Sequence, residues 1–187
     1  MPAAGAPSEE VIFCDAVEGL FLKGLGPRVT PQLHTQLKAV GLDLGRALLP
    51  AYPRTVWNAA IPLAAAHVWP DLDVADAHVL LGRAIIDGFK ETFLGKALAG
   101  MAKVLGPMRT LARMRSNLRT GGNYNEVTLT AEGPSLVRFW INEPYLHPGY
   151  VQGLLQGTLE ISGARNPTVD VLSVDAQGAH YRVRWES

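Results

Sequence analysis

The chain has 187 residues, 48% hydrophobic and 18% charged, which is enough apolar material for one buried core and too much for an intrinsically disordered chain. Seventeen basic residues balance seventeen acidic ones, so no overall field draws the protein to nucleic acid or to an anionic membrane, and any such binding must be local. The single cysteine, Cys14, excludes an internal disulfide framework; beside the apolar run Val11-Ile12-Phe13 it is expected as a small buried hydrophobe in a reducing, cytoplasmic setting.

The lead MPAAGAPSEE has no basic residue and no signal-type apolar core, and is expected to be disordered. No run approaches the ~20 apolar residues of a membrane span, so membrane insertion is not expected. From Val11 to Leu25, apolar residues at Val17, Leu20, Phe21 and Leu25 fall at helical spacing, and Gly26-Pro27 ends the pattern. Thr30-Pro31 opens a second helix as N-cap and first-turn proline, and Gly41 closes it. Pro50 and Pro53 bracket a turn. The next helix carries Val56, Trp57, Ala60, Ile61, Ala64 and Val68, with a kink or split expected at Pro62. From Asp73 a longer apolar face follows through Phe89, and glycines at 82, 88, 95 and 100 suggest closely crossing helices.

After the break at Gly106-Pro107, Met108 to Leu118 forms one more amphipathic segment, ending in the loop Thr120-Gly121-Gly122-Asn123. The period then changes from helix to strand. Val127, Leu129 and Ala131 alternate, Gly133-Pro134 turns, and Leu136 to Ile141 forms a second strand. A helix over about 148–162 follows, then two alternating strands, Val169 to Val174 and Tyr181 to Trp185, joined across Asp175 to Gly178. Helices followed by a mainly antiparallel sheet define an α+β class, arranged as a single domain over 1–187 with a helical part at 11–120 and a sheet part at 124–187.

In the helix of the sheet part, Gly149, Gly153 and Gly157 recur every four residues and line one face. Each interior glycine costs about 1 kcal/mol relative to alanine, so another backbone or a ligand must come close to that row. Between two strand pairs, the row is expected to seat its helix against the sheet.

No P-loop, GxSxG, HExxH, paired cysteines or calcium loop is present, which gives no positive case for an enzyme. Five histidines, at 34, 67, 78, 147 and 180, could include a metal or heme ligand; His67 and His78 are the candidates, but His78 has no second ligand four residues away and Asp71, four residues past His67, follows the helix-ending Trp69-Pro70. The richest polar feature is basic. Between Glu91 and Glu126 there is no acid, whereas Lys96, Lys103, Arg109, Arg113, Arg115 and Arg119 all fall there. Arg109 and Arg113 share a helix face with Asn117 and could hold a phosphate or carboxylate. Tyr124 and Trp140 could line an aromatic pocket or serve the core.

Several stretches resemble a myxobacterial paralogous family of uncharacterised proteins: Val17-Glu18-Gly19-Leu20-Phe21, Gly41-Leu42-Asp43-Leu44, Leu81-Gly82-Arg83, Arg109-Thr110-Leu111 after Gly106-Pro107, Asn117 to Tyr124, His147-Pro148-Gly149-Tyr150 and Tyr181 to Trp185. That resemblance covers almost the whole chain and implies no established activity. More distantly, strand, strand, helix, strand, strand around Gly153-Leu154-Leu155-Gln156-Gly157 resembles the heme nitric oxide/oxygen binding domain, the 4-vinyl reductase ligand-sensing domain and the TRAPP tethering subunits. The resemblance implies a ligand pocket between helices and sheet. In its heme-binding members, the helix before the sheet supplies a histidine to iron and a Tyr-x-Ser-x-Arg motif on the first strands grips the propionates. Arg109 to Arg119 contains no histidine, and Phe139 to Glu143 neither serine nor arginine, which argues against heme and leaves the cofactor unknown.

The expected function is a non-enzymatic sensory module holding a small molecule near Arg109, Arg113, Asn117, Tyr124 and Trp140. The alternatives are a protein-interaction module of tethering type, forming a homodimer or meeting a signalling partner, and a heme sensor with His67 or His78 as ligand.

Overall fold

A computed structural model describes residues 9–186, so the expected disordered lead lies, apart from its last two residues, outside the described residues. The chain opens with β1 (Val11–Phe13) and α1 (Cys14–Val17), which continues as a π-helical stretch over Glu18–Leu25. Helices α2 (Pro31–Ala39), α3 (Arg54–Val68), α4 (Val74–Phe89), α5 (Phe93–Leu105), α6 (Pro107–Ala112) and α7 (Met114–Leu118) follow, with β2 (Ala51–Pro53) before α3. Strands β3 (Val127–Gly133) and β4 (Leu136–Ile141), helix α8 (Pro148–Ile161), and strands β5 (Arg165–Val174) and β6 (Ala179–Glu186) complete the chain.

The sheet has the order β3-β4-β6-β5 and is antiparallel throughout, as the α+β reading requires. Its inner face carries Val137, Phe139, Ile141, Val169, Tyr181 and Val183, all buried, while Arg138, Arg182 and Arg184 face outward. This alternation is the half-buried strand pattern seen in the sequence. Helix α8 covers the inner face, where the Tyr181 hydroxyl donates to the Pro148 carbonyl at 3.2 Å and the Gln152 amide to the Val169 carbonyl at 2.6 Å.

The glycine row of α8 looks the other way. A Cβ on Gly153 would overlap the Val79 carbonyl oxygen on α4, one on Gly149 would lie 2.7 Å from the Ala75 oxygen, and one on Gly157 would press on Ile86 at 3.1 Å. Its target is therefore α4 and not the sheet, which corrects the expectation drawn from the strand pairs. Gly82 on α4 answers in kind: its Cβ would overlap the Tyr150 carbonyl oxygen. On another side of α4, Gly88 meets the Gly19 and Gly24 backbone of the π-helical stretch just as closely. Helix α4 thus sits between two backbones, and the crossing-helix reading of Gly82 and Gly88 holds.

Local signals place most of the ends. Thr30 caps α2 through Leu33, Asp73 caps α4 through Asp76, and Thr92 caps α5 through Gly95. Gly41, with φ 99°, follows α2 in the left-handed region. Three expectations change. Val11–Phe13 is not helical but pairs with Ala51–Pro53, which is a strand and not a turn. Helix α3 is not split at Pro62, whose ring faces solvent. Met108 to Leu118 divides at Arg113 into α6 and α7. Cys14 is half-buried.

Candidate functional site

Helix α5 turns an unusual side inward. Gly95, Ala99 and Ala102 are its small residues facing the body of the protein, with Leu98 the one large side chain among them. Gly95 packs directly on the Phe89 carbonyl at the end of α4, but Ala99 and Ala102 are too short to span the distance to α4 and α8, and a cavity of about 130 Å³ is left between α4, α5, α7 and α8. Ile85 and Phe89 of α4, Met114 of α7, and Leu154 and Ile161 of α8 make the wall apolar. Thr110, Asn117, Thr120 and Thr158 add sparse polar groups, and Lys90 brings one charge. Of these, the Thr110 hydroxyl is spent on the Ala102 carbonyl at 3.3 Å and that of Thr158 on the Leu154 carbonyl at 2.8 Å. The Thr120 hydroxyl is spent on the Asn117 carbonyl at 2.7 Å, whereas the side-chain amide of Asn117 has no hydrogen bond among the described residues, which makes it the most available polar group on the wall.

The floor of this space depends on the loop Thr120 to Asn123, which the sequence marks as its strongest turn. Gly121 accepts from the Phe13 amide at 2.9 Å and Asn123 donates to the Val11 carbonyl at 3.2 Å, so the loop is laid along β1. The Asn123 side chain completes the clamp, accepting from the Val11 amide and donating to the Glu9 carbonyl, both at 2.9 Å.

A second polar centre lies at the other end of this ribbon. Arg54, buried at the start of α3, donates to Glu10 and to Glu143, each at 2.8 Å, and to the Asn142 carbonyl at 3.2 Å. Its guanidinium carbon stands 4.1 Å from the Tyr124 ring centre and 4.8 Å from that of Tyr145. The Tyr124 hydroxyl donates to Glu143 at 3.3 Å. Burial alone would lower the Arg54 pKa, but the two carboxylates outweigh it and raise it. Glu143 is pushed up, because burial outweighs what Arg54 and Tyr124 return. Tyr124 is pushed up by burial and then by the Glu143 charge beside it. The cluster joins the N-terminal segment, α3 and the end of β4. No motif announced Arg54 or Glu143; the one available signal was a lone acid closing a strand of apolar residues.

The residues expected to form one site are dispersed. Asn117 lies on the cavity wall. Arg109 and Arg113 are exposed on the outer side of the α6–α7 segment, Arg113 reaching the Met101 sulfur at 3.5 Å. Tyr124 belongs to the Arg54 cluster, and Trp140 lies on the outer face of the sheet beside His180, ring centres 6.4 Å apart. His67 meets the Thr30 hydroxyl at 2.7 Å. The buried His78 ring pairs its Nδ1 with the Val74 carbonyl and lies 4.8 Å from the ring of His147. His147 in turn caps α8, its Nδ1 accepting from the Gly149 amide at 3.1 Å; burial and the neighbouring His78 hold its pKa below the usual histidine range.

This architecture is shared with solved H-NOX proteins. An H-NOX protein variant from S. oneidensis in the Fe(II) state superposes with a TM-score of 0.66 at 10% identity, over 93% of this chain and 94% of its own. An unliganded Fe(II) H-NOX protein from K. algicida gives 0.62 at 12% identity, over 93% and 96%. The chain therefore has the H-NOX fold. It belongs to the family described as "Protein of unknown function (DUF2378)", which matches residues 10–186. No curated protein matches the sequence.

The fold raises heme, and the cavity does not suit it. Its wall offers no histidine, cysteine or tyrosine, the one sulfur being that of Met114. Among the described residues no group of three or more His, Cys, Asp or Glu is placed to hold a metal ion. At about 130 Å³ the space also falls below the roughly 300–1,000 Å³ usual for cofactor pockets.

Proposed function

We propose that this chain is a non-enzymatic sensory module that takes a small, largely apolar molecule into the cavity behind α5. The observation that supports this is the inward pair Ala99 and Ala102, which keeps an apolar space open next to the rigid α4–α8 pair. A space of that size suits a single ring: an apolar cavity of roughly 150 Å³ can take up benzene or xenon. Asn117 supplies orientation through its unpaired side-chain amide on the wall, since the one charge there, Lys90, is already paired with Asp87 at 2.7 Å. Occupancy would be read out through α5, which one loop joins to α4 and another to α6. H-NOX proteins share the fold, and a ligand-sensing role accords with that likeness.

Benzene and indole serve as probes. At about ten times the dissociation constant, a bound ligand stabilises the native state by about 1.4 kcal/mol. For a chain of this size that is a rise in Tm of about 3–5 °C in a calorimetric melt. Ala102→Phe, which fills the space, is expected to abolish the rise while keeping the native circular-dichroism spectrum; Ala99→Leu at the mouth is the second variant. Absence of any rise with either probe, or an undiminished rise in both variants, would sink the reading.

A further inference from the structure

The outer face of α5 is as unusual as its inner one. Phe93 is 96% exposed, Val104 87% and Met101 45%, and Ala97 and Gly100 lie between them on the same helical face. A surface helix ordinarily turns its large apolar side chains inward. This one leaves Phe93 and Val104 almost wholly in solvent and turns inward, besides Leu98, only small residues, so the stripe is made for a partner and is not a by-product of packing.

Charge says which partner. Lys96 and Lys103 are exposed along one flank of the stripe, and Arg113 touches Met101 on the other. Among the described residues, none of Lys96, Lys103 and Arg113 forms an ion pair. The acids nearest in sequence are Glu91, exposed just before the helix, and Glu126, which Arg115 and Arg119 already engage. Nearby Asp87 is held by Lys90 and Glu160 by Arg83, each at 2.7 Å. We propose that the α5 face is a peripheral docking site for an anionic lipid surface, with Phe93, Met101 and Val104 entering the headgroup boundary and Lys96, Lys103 and Arg113 meeting lipid phosphates and carboxylates.

An apolar stripe flanked by lysine and arginine is the pattern of helices that lie in a membrane interface, their basic side chains reaching up to the headgroups. A second copy of this chain fits less well. A two-fold contact would set the same cations against each other across an apolar seam. Nucleic acid would use the cations but would leave Val104 and Met101 against a hydrated backbone. The chain as a whole is neutral, so the attraction is confined to this face. Nothing in the inference depends on the cavity being a ligand site.

Flotation of the full chain with vesicles tests it. The protein is expected to float with vesicles of phosphatidylcholine and phosphatidylserine, to stay behind with phosphatidylcholine alone, and to detach as salt is raised. Each lysine converted to neutral Gln at 96 or 103 should weaken binding about fivefold. Phe93→Ser with Val104→Ser should remove most of it while the thermal melt stays native, since both side chains are exposed. Three results would overturn the proposal: no flotation on anionic vesicles, flotation that the Phe93 and Val104 changes leave intact, or a dimer in size-exclusion chromatography that those changes dissolve. The last would assign the stripe to a second copy.

Discussion

Helices α8 and α5 both carry rows of small residues, and the protein puts the rows to opposite use. On α8 the row of Gly149, Gly153 and Gly157 is filled by the backbone of α4, with Gly82 reciprocating from the other side. On α5, Ala99 and Ala102 of the inner row look across an open space, while Gly95 ahead of them is closed off by the Phe89 carbonyl, and Gly100 on the outer side meets nothing within 4 Å. Small residues thus do not report packing by themselves. What they report is that something bulky must not occupy a position, and the neighbouring backbone decides whether the reason is contact or room. The α4–α8 pair is accordingly the rigid frame of the molecule, and α5 the attached wall.

The sharpest way to break this contrast is one methyl group on the rigid side. Gly153→Ala would place its Cβ against the Val79 oxygen and 2.8 Å from the Val79 carbonyl carbon, with no flexible side chain to give way. Two helices must part, at a cost of at least about 3 kcal/mol, a large share of a typical domain's stability. Urea denaturation should show a sharply lowered midpoint or no folded baseline. A midpoint within experimental error of wild type would mean that α4 and α8 do not approach as described.

Next in size is the Arg54 cluster, which holds the ribbon under the cavity floor. Arg54→Met leaves Glu143 buried without its cation and is expected to cost about 3 kcal/mol at neutral pH. The pH dependence has a definite sign. The folded pKa of Glu143 lies above its ordinary 4.5, so its contribution to stability is fully present below about 4.5 and is lost as pH rises through the folded value. Removing Arg54 takes away the main group opposing that rise, so the folded pKa climbs further and the penalty grows toward neutrality. Urea midpoints of the two proteins should be furthest apart near pH 7–8 and converge as pH falls toward 5. A gap that is flat across that range would show that Glu143 is not the group left exposed to the loss.

These features differ in how much of them the chain displays before it folds. Helix and strand periods are local, so β3 to β6 and α8 could be read within a residue or a few, and Thr30, Asp73 and Thr92 cap where such residues should. The row at 149, 153 and 157 announces a close neighbour, but a missing side chain carries no information on whose backbone arrives; only the position of Gly82 against Tyr150 identifies α4. Strands of three residues, such as β1 and β2, are too short for any period to emerge. Arg54 and Glu143 stand 89 residues apart and follow no spacing rule, because a buried ion pair is specified by the completed fold and not by either segment. Asn117 could be placed on an arginine-bearing helix, yet the break at Arg113 separates the faces that an unbroken helix would have aligned, leaving Asn117 on the cavity wall and Arg109 and Arg113 outside.

The smallest effect is the most discriminating, because it repeats the first substitution where the opposite sign is expected. At Gly100 a Cβ finds open space, and the residue lies inside the exposed face of α5 with helical backbone. Gly100→Ala therefore adds no clash and removes conformational freedom from the unfolded chain, a gain of about 0.5–1 kcal/mol. At the size of this chain that is a rise in Tm of roughly 2 °C. The methyl group also leaves the outer stripe apolar and the inner row untouched, so neither benzene binding nor vesicle flotation should change. If Gly100→Ala instead destabilised the protein, α5 would have to be packed against something on its outer face, and both the open wall and the free stripe would fall together.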